Sequence, residues 1–457
     1  MVPDTGVHDA QRLKELQALP LYRKIQITQT RIIEWYQHYE GRVYVSFSGG
    51  KDSTVLLHIA RQIYPNIPAV FANTGLEFGS IQRFVRSWDN VLIVTPKMRF
   101  DEVISTYGYP LIGKEVAEAI YYARRIRSQT VNVERERERE REATGQRKRV
   151  ELAGDRTWRT GAKRIERYES ALDGKIPTEV RPAETTARRD AGNQRANQPS
   201  QTSRGRWNTY EPRERYRWVL SELRSAAGVE EFKSQFNKEK WLPLVELPFL
   251  ISHYCCNKVK KEPIHRYQKQ HGYHPIIATL AEESRIRKQG WIRTGCNIFN
   301  GKNPKSQPMS FWTEQDVLTY LVDYNVPLAD IYGDIIAVDA DGNTYTPQEL
   351  LGNSTCKLQC SGCKRTGCVY CGFGAHIKGD KRFLELAKLE PRKYEYAMGG
   401  GQWVDNPHYD ATAPEYDGEW RNWNPKKIWV PSKQGLGLAK VFDMVNEIYG
   451  QGFIQYE

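Results

Sequence analysis

Between Leu13 and Tyr39, apolar residues recur at helical spacing (Leu13, Leu16, Leu19, Ile25, Ile32, Ile33, Tyr36) with a break at Pro20, which predicts one or two helices. The period then shortens. RVYVSF (42–47) reads as a strand, STVLLHIARQIY (53–64) as a helix, PAVFAN (68–73) as a strand, SIQRFVRSW (80–88) as a helix and VLIVTP (91–96) as a strand. Strands alternating with helices at this pitch predict βαβ units with right-handed connections. The expected fold class is therefore α/β, a parallel twisted sheet flanked by helices.

The alternation stops after GKEVAEAIYYARRIR (113–127) and resumes far downstream. There PLVELPF (243–249) is expected as a strand, CCNKVKKEPIHRY (255–267) as a helix and PIIATLA (275–281) as a strand. FWTEQDVLTYLVDY (311–324) is expected as a helix with Thr313 as its N-cap, and GLAKVFDMVNEIYG (437–450) as a further helix. The expected organisation is N-terminal helices (1–40), a first half of the α/β domain (41–123), a long charged insertion (124–240), a second half (241–335), a Cys-rich module (336–375) and a C-terminal region (376–457).

The insertion changes the electrostatic picture. From Arg124 to Trp218 there are 25 Lys and Arg against 15 Asp and Glu, which accounts for most of the net charge of +12. The strict Glu/Arg alternation from Glu134 to Glu142 has no apolar face at either period, so this region is expected to be partly disordered or helical. A concentrated positive field favours nucleic acid as a partner, through phosphate contacts and counterion release. It equally suits a protein partner within an assembly.

No apolar run approaches the roughly 20 residues needed to cross a bilayer, and the N-terminal segment lacks a signal-peptide pattern. The expected location is cytoplasmic, with no membrane contact. Eight cysteines in a reducing compartment point to metal binding or catalysis rather than to disulfides.

The first strand runs into SGGKDS (48–53) and then a helix. The glycines let backbone N–H groups approach an anion, the helix N-terminus adds partial positive charge, and Lys51 adds a full one. A Walker A loop is excluded because Val45 stands where its first glycine is needed and Asp52 where Ser or Thr must follow the lysine.

The hexapeptide in this context resembles the PP-loop of the adenine-nucleotide α-hydrolase superfamily. Three further stretches resemble its phosphoadenosine-phosphosulfate (PAPS) reductase family: FANTGLEF (71–78), with Asn73 in place of Asp in the DTG segment; CCNKVKKEP (255–263); and PMSFWTEQDVLTY (308–320). The resemblance implies nucleotide binding by Ser48, Gly49, Gly50, Lys51, Asp52 and Ser53, by Asn73, Thr74 and Gly75, and by Glu283, Ser284 and Arg287 of AEESRIR. Lys51, Asp52 and Ser53 are the candidate catalytic residues. Ala278 and Leu280 depart from the family's Gly and Arg, and no Cys follows Cys371, where the assimilatory reductases place a catalytic one.

Cys356, Cys360, Cys363, Cys368 and Cys371 fall within a short span, a strong metal signal. The Cys363–Cys368 gap is too short for a zinc ribbon, which favours an iron–sulfur cluster over zinc. In the family's adenylyl-sulfate reductases a Cys-Cys pair and a distant C-x2-C jointly hold a 4Fe-4S cluster, and Cys255, Cys256, Cys368 and Cys371 match that order. The family's Dnd-type DNA-phosphorothioation enzymes gather their ligands in the later Cys-rich segment instead, which would use Cys360 and Cys363. Both assignments stand at this level.

The leading functional expectation is ATP α-phosphate chemistry with Mg²⁺, adenylating an acceptor for sulfur transfer, with DNA or tRNA as that acceptor. The alternatives are reduction of PAPS or adenylyl sulfate, and a non-catalytic nucleotide-binding subunit of a nucleic-acid assembly.

Overall fold

A computed structural model describes residues 8–121, 124, 239–301, 303–350, 356–364, 366–411 and 423–457. The basic stretch 124–218, apart from Arg124, lies outside the described residues. The chain divides into two compact units. The first comprises 1–106, 254–371 and 382–394; the second comprises 107–253, 372–381 and 395–457.

In chain order the strands are β1 (Val43–Ser46), β2 (Ala69–Ala72), β3 (Val91–Val94), β4 (Leu111–Ile112), β5 (His274–Ile277), β6 (Asn297–Ile298), β7 (Lys305–Ser306), β8 (Ile335–Val338), β9 (Thr344–Tyr345) and β10 (Lys357–Cys360). The first unit is built on a six-stranded sheet ordered β3-β2-β1-β5-β7-β6. All neighbours are parallel except β6 and β7, with Val45 opposite Ala69 on one side and Ile276 on the other. The chain moves outward from β1 through β2 to β3, then returns to lay β5 on the other side of β1. That reversal opens a crevice at the carboxyl ends of β1 and β5, where open α/β sheets bind ligands.

The predicted α/β class is therefore present, and the elements form for the reasons their patterns give. The helix Leu21–His38 begins directly after Pro20 and buries Ile25, Ile32 and Trp35. The helix Lys51–Ile63 buries Val55, Leu56, Leu57, Ile59 and Ala60. Thr313 caps Glu314–Asp323 in a reciprocal box with Asp316. The helix starting at the Cys-Cys pair opens with a six-residue π-turn, Cys256–Lys261, before continuing as Glu262–His271. Such wide turns cluster at functional sites.

One expected strand is absent. PLVELPF begins inside a 3₁₀ segment, Glu239–Val245, that contains Pro243. The carbonyls a strand would offer to a neighbour go instead to the buried Arg124 guanidinium, which donates to Leu244, Val245, Leu247 and Phe249 at 2.6–3.0 Å. The Arg124 guanidinium also lies 4.2 Å from the Trp423 ring, whose indole N–H donates to Leu247. Trp423 is thus a packing residue of the second unit. That unit further contains β11 (Gly372–Phe373), parallel to β4, and the antiparallel pair β12 (Gln402–Asp405) and β13 (Lys427–Val430).

Gly49 is the tightest point of the loop after β1. Its φ is +72°, and a Cβ there would lie 2.8 Å from Val85 and 2.9 Å from Ile81. Strain and overpacking together predict that Gly49→Ala lowers stability by about 2–4 kcal/mol, read as a drop in urea midpoint at unchanged slope.

Candidate active site

Three loops meet the carboxyl edge of the sheet: 48–53 after β1, 73–77 after β2 and 281–287 after β5. The first folds on its own hydroxyls. Ser53 Oγ donates to the Gly50 carbonyl at 2.9 Å and lies 3.0 Å from Ser48 Oγ, which accepts from the Gly50 amide at 3.3 Å. Thr54 Oγ1 adds a bond to the same carbonyl at 3.0 Å. These bonds pin the turn that leads the chain into the helix starting at Lys51.

Lys51 is only 8% exposed and donates to Glu314 at 2.7 Å, while Glu314 is 52% exposed. The ammonium also lies 5.7 Å from the centre of the Tyr332 ring. Carboxylates crowd the same place. Glu282 accepts from the Glu314 amide, and burial, together with the charges of Glu314, Asp316 and Asp52, holds its carboxyl above the usual range. Lys24, buried, neutralises Asp316 at 2.6 Å.

Tyr332 closes over the loop. Its hydroxyl accepts from the Lys51 amide, sits 2.6 Å from Thr366 Oγ1 and would lie 3.4 Å from a Cβ on Gly50. Burial pushes its pKa up to about 12, against those two hydrogen bonds. The folded state keeps the phenol proton after an unfolded tyrosine has lost it near pH 10. The stabilising contribution is therefore whole below about pH 10 and lost as pH rises to about 12. Wild type is expected to lose more stability across that window than Tyr332→Phe, measured by urea titrations at each pH.

The second loop is held by Thr74, which bonds Glu77 through both its amide and its hydroxyl at 3.2 and 2.7 Å, and by Asn73 Oδ1, which accepts from the amide of Gly75. In the third, Glu283 pairs with Arg287, and Ser284 caps the helix Arg285–Thr294 by accepting from the Arg287 amide at 3.3 Å. The residues expected at the nucleotide thus lie on the loops and first helical turns that follow β1, β2 and β5 of one sheet. Glu314, Glu282 and Tyr332 were not expected there. Glu314 stands in the recognised PMSFWTEQDV block, whereas nothing in spacing marks Tyr332.

The cysteines form two groups. Cys255 and Cys256 have their sulfurs 3.9 Å apart. The Cys255 thiol is pushed far up by its hydrogen bond to Cys256, by burial, and by the charges of Cys256, Cys371 and Cys368. Burial raises Cys368 to about 11, opposed by Lys260, which hydrogen-bonds it. The C-x2-C turn is tied to the second loop by the Val369 amide on the Leu76 carbonyl at 2.8 Å, and Arg382 donates to the Cys371 carbonyl at 3.0 Å. Cys360 has other neighbours. Burial raises its thiol, Lys51 opposes that, and Glu314 and Cys363 add to it.

Four soft donors, with the half-buried Lys260 to offset their charge, are of the chemistry that an iron–sulfur centre takes. Among the described residues no group of three or more His, Cys, Asp or Glu side chains is placed to hold a metal ion. Cys296 is buried, and its carbonyl accepts from the Gln307 amide within the sheet edge. No described helix is long and apolar enough to cross a membrane.

Residues 42–110 match the phosphoadenosine phosphosulfate reductase domain family. Over 69 residues the chain is 35% identical to an uncharacterized protein of Methanocaldococcus jannaschii, covering 14% of this chain and 17% of that one. Over 87 residues it is 28% identical to adenosine 5′-phosphosulfate reductase of Bacillus cereus, covering 18% of this chain and 37% of that one. The chain thus spans well under half the length of either relative. The matched segment, 42–110, contains β1, β2 and β3 and the loops that follow β1 and β2.

Proposed function

We propose that the protein reduces an adenine sulfonucleotide, cleaving the bond between the α-phosphate oxygen and sulfur. The gathering of Cys255 and Cys256 with Cys368 and Cys371 carries this reading, because that pairing is the adenylyl-sulfate reductase arrangement rather than the one confined to the later Cys-rich segment. Similarity to an adenosine 5′-phosphosulfate reductase supports it. The nucleotide phosphate lies against the Gly49 and Gly50 backbone and Lys51, which stabilise charge on the departing phosphate oxygen. Ser48 and Ser53 hold the turn in register, and Tyr332 covers it from water. A 4Fe-4S cluster on the four cysteines would fix the C-x2-C turn beside the loop after β2 and set the electrostatic field at the sulfonate.

A second reading is favoured by the carboxylates Asp52, Glu282 and Glu314 around Lys51. They suit a hydrated Mg²⁺ on ATP, with adenylation of a nucleic acid drawn by the basic stretch 124–218. Equilibrium dialysis separates the two. Adenosine 5′-phosphosulfate or PAPS should bind at least about tenfold tighter than MgATP, a difference of about 1.4 kcal/mol. Tighter binding of MgATP, strengthened by DNA or tRNA, would favour adenylation.

A further inference from the structure

The ammonium of Lys51 has a partner of ligand-like charge within the chain. Lys51 is 8% exposed and donates to Glu314 Oε1 at 2.7 Å, whereas the Glu314 side chain is 52% exposed. The two residues open the helices Lys51–Ile63 and Glu314–Asp323. These helices are pinned to each other and to the first unit. His58 Nδ1 lies 2.8 Å from the Tyr320 hydroxyl, Lys24 donates to Asp316 at 2.6 Å, and the Trp312 indole donates to Thr28 at 2.9 Å. The amide of Glu314 is itself held by Glu282. The main chain is therefore fixed, and the Glu314 side chain is the part that can turn away.

Burial decides which partner moves. The Lys51 stem is packed, whereas Glu314 can exchange the ammonium for water at little cost. Charge decides that it must. Lys24 neutralises Asp316, and Glu282 still feels the charges of Glu314 and Asp52 beside the loop. A phosphate that reached Lys51 with Glu314 in place would share one ammonium with a carboxylate, and like charges repel strongly away from bulk water.

We propose that Glu314 is an internal competitor for Lys51, whose carboxylate the nucleotide phosphate displaces from the ammonium. This rests on the reading of 48–53 as the phosphate loop, which both functional readings above share. Every anion that uses Lys51 then carries a fixed penalty, the opening of the Lys51–Glu314 contact, and its apparent affinity falls by that factor. An ion pair with one half-exposed partner sets the factor at about fivefold. The same contact keeps the buried ammonium compensated until phosphate replaces it, so the carboxylate is a placeholder with the charge of the ligand.

Calorimetric titration of the full chain, at fixed ionic strength and without added divalent metal, tests this with inorganic pyrophosphate and adenosine 5′-phosphosulfate as probes. Glu314→Gln keeps the side-chain volume and the main-chain bond to Glu282 while removing the charge. Glu314→Asp keeps the charge and, one methylene shorter, loses the contact. Both variants are expected to bind pyrophosphate about fivefold tighter than wild type, and adenosine 5′-phosphosulfate by a similar factor. Tighter binding by Glu314→Gln alone makes the residue a source of general repulsion and overturns the proposal. Unchanged or weaker binding by Glu314→Gln makes it a positioning residue for Lys51 and overturns the proposal too. In either case the phosphate loop stands, provided Lys51→Ala weakens binding. The fivefold gain with pyrophosphate, in a protein that binds no sulfonucleotide, sustains the proposal and removes the sulfonucleotide reading. If Lys51→Ala binds both probes as wild type does, or no variant binds either, the loop reading falls and the proposal with it.

Discussion

Lys51→Ala is expected to lower kcat/KM for the nucleotide by about 10²–10³-fold, because under the proposed function it removes a preorganised cation from the position where phosphate charge develops. The surroundings make the loss worse. Lys51 is the buried cation facing Asp52, Glu282 and Glu314, so its removal leaves an anion loop ringed by carboxylates. The fold should survive. Glu314 is half exposed and hydrates when its partner leaves, so the stability cost is expected to stay within about 1 kcal/mol. Nucleotide titration calorimetry beside urea unfolding separates the two effects. Lys51→Arg should not restore activity, because a planar guanidinium does not replace a compact ammonium at 2.7 Å from Glu314 in this packed turn.

Cys256→Ser is the second large expected effect. A serine oxygen is a poor ligand for the iron of the proposed cluster, which would draw together segments separated by more than a hundred residues. Iron content and the visible absorbance should fall to near background, with apparent stability lower by on the order of 3 kcal/mol, since metal affinity is counted in folding free energy. Cys371→Ser should behave alike. Cys296→Ser is the control. It swaps a buried sulfur at the sheet edge for a hydroxyl, and should cost about 1 kcal/mol while keeping the iron. Retention of iron in Cys256→Ser, or its loss in Cys296→Ser, would place the centre elsewhere.

The sequence was most legible where a local pattern and its tertiary role coincide. The apolar run before SGGKDS is β1, the loop sits where the sheet reverses direction, and Thr313 caps its helix as its spacing requires. PLVELPF was misleading because its alternating apolar residues imitate a strand. The buried Arg124, more than a hundred residues earlier, takes the carbonyls that a strand would have used. The cysteines were ambiguous for a related reason. Their spacing permits a single centre, whereas the division between Cys360 and Cys368 is made by backbone hydrogen bonds to the turn 331–334, and main-chain contacts carry no residue signature. Tyr332 was unreadable on the same grounds, since its role comes from the neighbour that positions it.

The most direct measurement is product analysis after incubating the protein, purified and handled anaerobically, with adenosine 5′-phosphosulfate, PAPS and MgATP in separate reactions with a dithiol reductant. Sulfite released in step with nucleoside phosphate from one of the two sulfonucleotides, and abolished in Lys51→Ala, is the result predicted. Pyrophosphate and AMP from ATP, stimulated by DNA or tRNA with no sulfite from either sulfonucleotide, would contradict it.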